Sequence, residues 1–284
     1  MKVGTVKSIM RYPVKSMGGE QVDQSFIDEN GVVGDRAWTV RDDNGGGISG
    51  AKRFPTLMAC DARFLDDPTP DARSARAEIT LPDGTVLTTD SADAAAQISS
   101  AIGADISLWP IVSREQLDHY RRDPSMMAGE DALRALFARL PDEPLPDLAS
   151  FPKELMEFES PPGTYFDAFP LLLMTQAALD LVQARAPESA IDVRRFRPNF
   201  LIDAAGDGHV EESWVGKNVQ MGDAVIRMEM TCPRCVMITH GFKDLPKDPG
   251  IMRAVVQQTG GDLGINASVA QAGTIRVGDQ LIID

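Results

Sequence analysis

Between residues 224 and 231 the chain reads Ala-Val-Ile-Arg-Met-Glu-Met-Thr, with apolar and polar positions alternating from Ile226 onward. That period of two predicts a half-buried strand. Val236-Met237-Ile238-Thr239 is β-branched or long and apolar, which predicts a second strand, with Cys232-Pro233-Arg234-Cys235 as a tight corner between them. Similar patterning predicts strands over residues 3–10, 21–27, 31–40, 106–112, 171–174, 199–202 and 218–220. The Pro82-Asp83-Gly84 turn sits between 79–81 and 85–87, a hairpin signature. Helical spacing covers 92–101, with Ser91 as cap and Gly103 as stop, and also 129–140. Two further helices are expected: 176–185 behind a Thr175 N-cap, and 249–258 opened by Pro249. Residues 274–283 read as a hairpin closing a sheet.

The first half is thus mostly β. Pro141, Pro144, Pro146, Pro152, Pro161 and Pro162 crowd the stretch 121–162, where a domain junction is expected. The pattern predicts an α+β protein dominated by β-barrel structure. Residues 1–120 would form an N-terminal β-barrel-like domain and residues 121–284 a second, also a β-barrel with a few helices. A length of 284 residues suits about two domains of ordinary size.

Composition narrows the function classes. A net charge of −14 argues against nucleic acid or an anionic membrane as partner, and makes any local cluster of Lys and Arg informative. The N-terminus lacks the apolar core of a signal peptide, and the most apolar run, 169–174, is far too short to cross a bilayer. Three cysteines make no disulfide framework, so a reducing, cytoplasmic setting is expected.

Cys232-Pro233-Arg234-Cys235 admits several chemistries. As half of a zinc site it would need His119, His209 or His240, none at a standard spacing. As a glutaredoxin-like redox pair it would need a helix to follow, and Val236 to Thr239 is a poor helix start. The cysteines could also be buried small hydrophobes. The remaining reading is a single thiolate, Cys235, that binds a soft metal or carries sulfur. Other stretches supply what a bound phosphate wants, forked Arg donors, a Lys point charge and short polar donors. These are Lys15-Ser16 in a turn, Arg36 entering a strand, and Arg194 to Asn199 leading into another. Any one of them alone reads as a solvated surface group among 42 acidic residues. The formal Gly-x-Gly-x-x-Gly from Gly45 to Gly50 is followed by Lys52-Arg53-Phe54-Pro55, which opens no helix, so no dinucleotide site is expected there.

Taken together, five motifs resemble the MOSC-domain family. They are Tyr12-Pro13-Val14-Lys15-Ser16, Gly34-Asp35-Arg36-Ala37-Trp38, Arg195-Phe196-Arg197-Pro198-Asn199, Cys232-Pro233-Arg234-Cys235 and Gly273-Thr274-Ile275-Arg276-Val277-Gly278-Asp279. That family joins an N-terminal β-barrel domain to the domain found at the C-terminus of molybdenum-cofactor sulfurases, and it includes amidoxime-reducing components and bacterial N-hydroxylate reductases. The resemblance implies that Cys235 ligates molybdenum. Lys15, Ser16, Arg36, Arg197 and Asn199 would hold the pterin and its phosphate, and Asp167 would be a catalytic carboxylate near the metal. The family's animal members carry hydroxyl residues where this chain has Ala168 and Phe169, and a different sequence where it has Ile238 to Phe242; His240 is read as a loop residue.

The implied function is a molybdopterin-dependent oxidoreductase that reduces N-hydroxylated or N-oxygenated small molecules. Its electrons would come from a separate ferredoxin- or flavin-type reductase, because Cys60 and Cys232 alone cannot ligate an iron–sulfur centre. The alternative is a carrier of sulfur or of the cofactor that uses Cys235 without turnover. Pyridoxal phosphate is not expected, since the chain has no room for a desulfurase domain. The role of Cys232 stays open.

Overall fold

A computed structural model describes residues 1–122 and 129–283. Seven strands close into a barrel, in the order Phe200–Ala204, Leu171–Thr175, Asp262–Gln271, Ala224–Pro233, Asn218–Met221, Gln280–Ile283 and Lys2–Arg11. Closure comes from the N-terminal strand, which pairs antiparallel with both Gln280–Ile283 and Phe200–Ala204. A closed sheet leaves no edge to pair with another chain. Strand pairing therefore ignores the sequence division at the junction: the first strand of the chain is a barrel stave among C-terminal ones. Positions 123–128 of that expected junction lie outside the described residues.

Alternation carries the barrel. Ala224, Ile226 and Met228 point inward as the period of two requires, and they pack on Phe200, Ile202, Leu173 and Ile265. In Lys2–Arg11 the inward phase shifts from Val6 to Ile9, because a register irregularity falls between Val6 and Ser8. One neighbouring pair is parallel, Leu171–Thr175 with Phe200–Ala204. Such a pair needs a crossover, which the helix Gln176–Arg185 provides. The Thr175 hydroxyl caps that helix, accepting from the Ala178 N–H at 3.1 Å.

The remaining strands form small sheets. Trp38–Asp42 pairs with Gly47–Ser49 and Ile106–Pro110, and Asp61–Phe64, Ala77–Thr80 and Val86–Thr88 form a meander. Val14, Met17, Val40, Ile79 and Ile98 share the core between them. The Gly45-to-Gly50 stretch contains the strand Gly47–Ser49, and the next element is a short 3₁₀ helix, Pro55–Ala59, that the glycines do not open.

Four local expectations are corrected. Val236–Thr239 is a 3₁₀ turn, because the Ile238 and His240 N–H groups bond back three residues. The first helix is Ala94–Ile102 with Asp93 before it; Ser91 instead accepts from the Thr88 N–H at 3.3 Å. The last residues form no hairpin. Gly273–Arg276 pairs with Gln24–Asp28, while Gln280–Ile283 joins the barrel, so the turn at Gly278 hands the chain from one sheet to another. The stretches 21–27 and 31–40 each break in two; the second breaks at a turn where Gly34 (φ 84°) and Arg36 (φ 48°) are left-handed.

Phe200 is fully buried and bridges Ile9 and Leu173 across two strand pairs. Phe200→Ala is expected to cost roughly 3–5 kcal/mol in urea titration. A loss below about 1 kcal/mol would mean that the barrel interior collapses freely around the gap.

Candidate functional site

Lys15, Ser16, Arg36, Asp167, Arg197, Asn199 and Cys235 all line one cleft, although five well-separated stretches of chain supply them. The cleft also takes in Lys52, Cys232 and Arg234. Among its described lining residues seven are Lys or Arg and one, Asp167, is acidic, whereas the whole chain carries 28 basic and 42 acidic residues. Like charges gathered against that background cost free energy unless an anion joins them.

The backbone is bent to make this arrangement. Ser16 (φ 70°), Arg36 (φ 48°) and Arg197 (φ 57°) lie in the left-handed region, which residues other than glycine seldom adopt. Strain of this kind persists where the surrounding structure holds it, and it clusters at functional sites. At Arg36 the N–H donates to the Tyr12 carbonyl at 2.6 Å and the guanidinium pairs with Asp35. The Arg197 guanidinium lies 4.2 Å from the centre of the Tyr12 ring, and Arg36 sits 5.2 Å from the same ring. Tyr12 thus places two cations side by side through its π face. Its hydroxyl donates to the Pro198 carbonyl at 3.1 Å, and burial pushes its pKa up to about 12, against the pull of Arg197 and Arg36. Burial also draws Arg197 down to about 10.

A second group surrounds Asp167. Buried Lys15 donates to the Tyr165 carbonyl at 2.7 Å and pairs with Asp167, and Lys52 reaches the other carboxylate oxygen at 3.0 Å. The Asp167 side chain is half-exposed, and against the cost of its partial desolvation Lys15 and Lys52 hold the carboxyl well below its usual range. For Lys15 burial wins and its pKa is lowered despite Asp167. For Lys52 burial loses to the attraction of Asp167 and Cys235, and its pKa is raised.

Cys235 is half-buried at the start of the Val236–Thr239 turn, and its thiol has no hydrogen-bond partner among the described residues. Cys232 differs: Arg234 Nη1 sits 3.3 Å from its sulfur, and burial pushes its thiol up more than that cation pulls it down. Arg234 Nη2 donates to the Phe196 carbonyl at 2.7 Å. Two nitrogens of the cleft's arginines, Arg197 Nη2 and Arg234 Nε, are buried without a partner. Unmet donors of this kind are costly, and a bound anion would satisfy them.

Other candidates have structural employment. Arg194 forms a surface cluster with Asp192 and Asp244, and buried Arg195 donates to the carbonyls of Ala190, His240 and Pro246. The Asn199 side chain lines the cleft, yet its Oδ1 accepts from the Leu172 N–H at 3.1 Å and its Nδ2 donates to Met10 O at 3.4 Å. His119 bonds Tyr165 at 2.8 Å, His209 faces Gln258, and His240 lies off the cleft. Among the described residues no three His, Cys, Asp or Glu side chains gather into a metal cage. A metal on Cys235 would need its other ligands from a cofactor.

Lys52, Tyr12 and Arg234 are the functional candidates that sequence reasoning missed. Lys52 follows the glycine-rich loop dismissed as a dinucleotide site, and no spacing links it to Asp167. Tyr12 and Arg234 sit inside the motifs already singled out, next to the residues chosen there.

Two family models match the chain: MOSC N-terminal beta barrel domain over residues 3–120, and MOSC domain over residues 162–282. The mouse mitochondrial amidoxime-reducing component 1 is 24% identical over 84% of this chain and 66% of its own length. The bovine mitochondrial amidoxime reducing component 2 is 23% identical over 98% of this chain and 82% of its own. The solved structure of the YuaD protein from Bacillus subtilis aligns over 98% of this chain and 94% of its own, at 12% identity and a TM-score of 0.43. No helix among the described residues is long and apolar enough to cross a membrane.

The depressed Asp167 pKa sets a sign. Its pairing adds stability that is present above the unfolded carboxylate value of about 3.9 and is lost as pH falls through the lower folded value. Asp167→Asn should therefore melt earlier than the parent at neutral pH, with the gap closing below about pH 4. Thermal melts across pH check this; a gap of constant size would show that the ion cluster is not its source.

Proposed function

Because the chain belongs to the MOSC-domain proteins, we propose that it is a molybdenum-cofactor-dependent reductase of N-hydroxylated or N-oxygenated small molecules. One observation carries this reading: residues from distant parts of the chain meet in one cation-lined cleft that keeps a thiol and two buried arginine nitrogens without partners. These residues fit an anionic, phosphate-bearing cofactor with a soft metal. When bound, that cofactor supplies the two-electron chemistry at the N–O group.

The chain's own side chains do the rest. Cys235 would be the protein ligand, since Cys232 is engaged by Arg234 and Cys235 is not. Lys15, Arg36 and Arg197 present charge to the phosphate, and Ser16, whose Oγ accepts from the Ala51 N–H at 2.9 Å, keeps its own proton to donate. Asn199 fixes the chain between Met10 and Leu172, and so holds Arg197 in place two residues before it. Asp167 stays ionised at neutral pH, so it serves as a fixed anion that orients the Lys15 and Lys52 ammonium groups. Reduction of an N–OH group breaks the N–O bond, takes up two electrons and two protons, and releases water. The relatives' names, amidoxime-reducing components, support this substrate class.

Electrons are proposed to come from a separate ferredoxin- or flavin-type protein. The chain's three cysteines are fewer than the four that an iron–sulfur centre normally takes, and its glycine-rich stretch opens no helix. Protein from a molybdate-fed host should contain molybdenum and reduce an N-hydroxylated compound with a chemical reductant, but not with NADPH alone. Turnover on NADPH alone would reveal a redox site missed here. Molybdenum without turnover would favour the carrier of sulfur or cofactor.

Substitutions test the roles separately. Cys235→Ser should abolish molybdenum retention while Cys232→Ser leaves most of it, as read by elemental analysis; equal losses would mean a two-thiol site. Arg197→Ala should weaken cofactor binding about ten- to a hundred-fold, with the fold retained by circular dichroism.

A further inference from the structure

The cleft has a second wall of a different character. The helix Glu130–Phe137, the 3₁₀ turn Leu148–Ser150 and the helix Glu154–Glu157 bring Leu136, Phe137, Leu148, Phe151 and Met156 to it. These side chains are not core. No residue of the helix Glu130–Phe137 is fully buried, and Met156 is 57% exposed. Apolar and aromatic groups half-open to a cleft, facing a few convergent polar groups, make the lining of a small-molecule site.

The wall is fixed to the site. Buried Arg139, just past the first of these helices, donates to the Pro144 carbonyl at 3.2 Å within the segment, and to the carbonyls of Gly261 (3.2 Å) and Arg234 (3.4 Å) beside Cys235. Arg122 donates to Leu155 O at 3.2 Å and Phe158 O at 3.1 Å. Arg253 pairs with Glu143. The segment lies between the two family matches, which end at residue 120 and resume at 162.

We infer that Leu136, Phe137, Leu148, Phe151 and Met156 form a subsite for the apolar, uncharged body of the substrate, an aryl group above all, whose N–O end faces the cationic wall. The inference rests on the reductase reading and adds the substrate's body to it. Two phenylalanines offer ring faces and edges to a flat partner. The excess of Lys and Arg in the same cleft repels a cationic body.

The test compares the cofactor-loaded parent with Phe151→Ala and Leu136→Ala, whose side chains are only partly buried, with folding checked by circular dichroism. Two readouts are taken: kcat and KM for a phenyl- and a methyl-substituted amidoxime with a chemical reductant, and calorimetric binding of benzamide and acetamide, which are uncharged and not reduced. The parent should prefer the phenyl compound. In each variant the phenyl-to-methyl ratio of kcat/KM should fall about ten-fold, mainly through KM, and benzamide should bind correspondingly more weakly. A parent without preference, or variants that leave both the ratio and benzamide binding unchanged, would overturn the subsite. If neither amidoxime is reduced, the reductase reading falls, and the benzamide arm still decides whether the apolar wall binds an aryl group.

Discussion

Seven basic side chains lining one cleft, in a chain with 14 more negative than positive charges, are the constraint on which the cleft depends. Each cation is restrained in its own way. Asp35 and Glu159 pair with Arg36 and Arg122, backbone carbonyls occupy Arg195, the Tyr12 ring takes one face of Arg197, and Asp167 is shared by Lys15 and Lys52. What is left over, Arg197 Nη2 and Arg234 Nε, is buried donor capacity without an acceptor. A desolvated cation pulls hard on an anion because little water screens it. The same desolvation makes the cluster costly without an anion, so ligand binding and folding stabilise one another.

The barrel serves this electrostatics by geometry. Lys2–Arg11 closes the barrel and then delivers Lys15 and Ser16 straight into the cleft, with Tyr12 buried behind Arg36 and Arg197. Arg197 and Asn199 stand just before Phe200–Ala204, the strand that pairs with it. Cys235 follows Ala224–Pro233. Three barrel staves thus aim their end residues at one point, and left-handed turns at Ser16 and Arg197 complete the aim. A rigid closed sheet is a suitable base for such turns, since strain is tolerated only where the neighbouring structure over-determines the backbone.

The sequence made much of this legible, and its failures have physical causes. Period-two alternation identified the strand from Ala224, which runs on through Cys232 and Pro233 where a corner was expected, and the cap chemistry of Thr175 and Pro249 placed two helices within a residue. The site residues emerged from a resemblance spread over five short motifs, because each motif alone is indistinguishable from solvated surface; Arg194 shows that this plain reading is sometimes right. Val236 to Thr239 misled because β-branched residues favour strands only when a partner strand is at hand, and here the chain turns back on itself. The closing residues misled because a tight turn does not reveal whether its two arms join one sheet or two. Lys52 stayed hidden because its partner Asp167 is far away in sequence, and such a pairing leaves no local period.

The proline-rich stretch between the two family matches carries more than its sequence pattern shows. Read along the chain, it looks like a junction: prolines, short helices and little periodicity. In space, the described part of it brings apolar side chains to the same cleft as the cations, pinned by Arg139 and Arg122 to backbone carbonyls. Such pinning gives an irregular segment the rigidity that regular secondary structure would otherwise supply, because forked guanidinium donors satisfy several buried carbonyls at once. A charged wall can fix the position of an anionic cofactor, but it has little means of discriminating among uncharged bodies. Contact with apolar side chains can do so, methylene by methylene. The division of labour between the walls therefore follows from their chemistry: the cationic one fits the task of holding what reacts, and the apolar one the choice of what it is attached to.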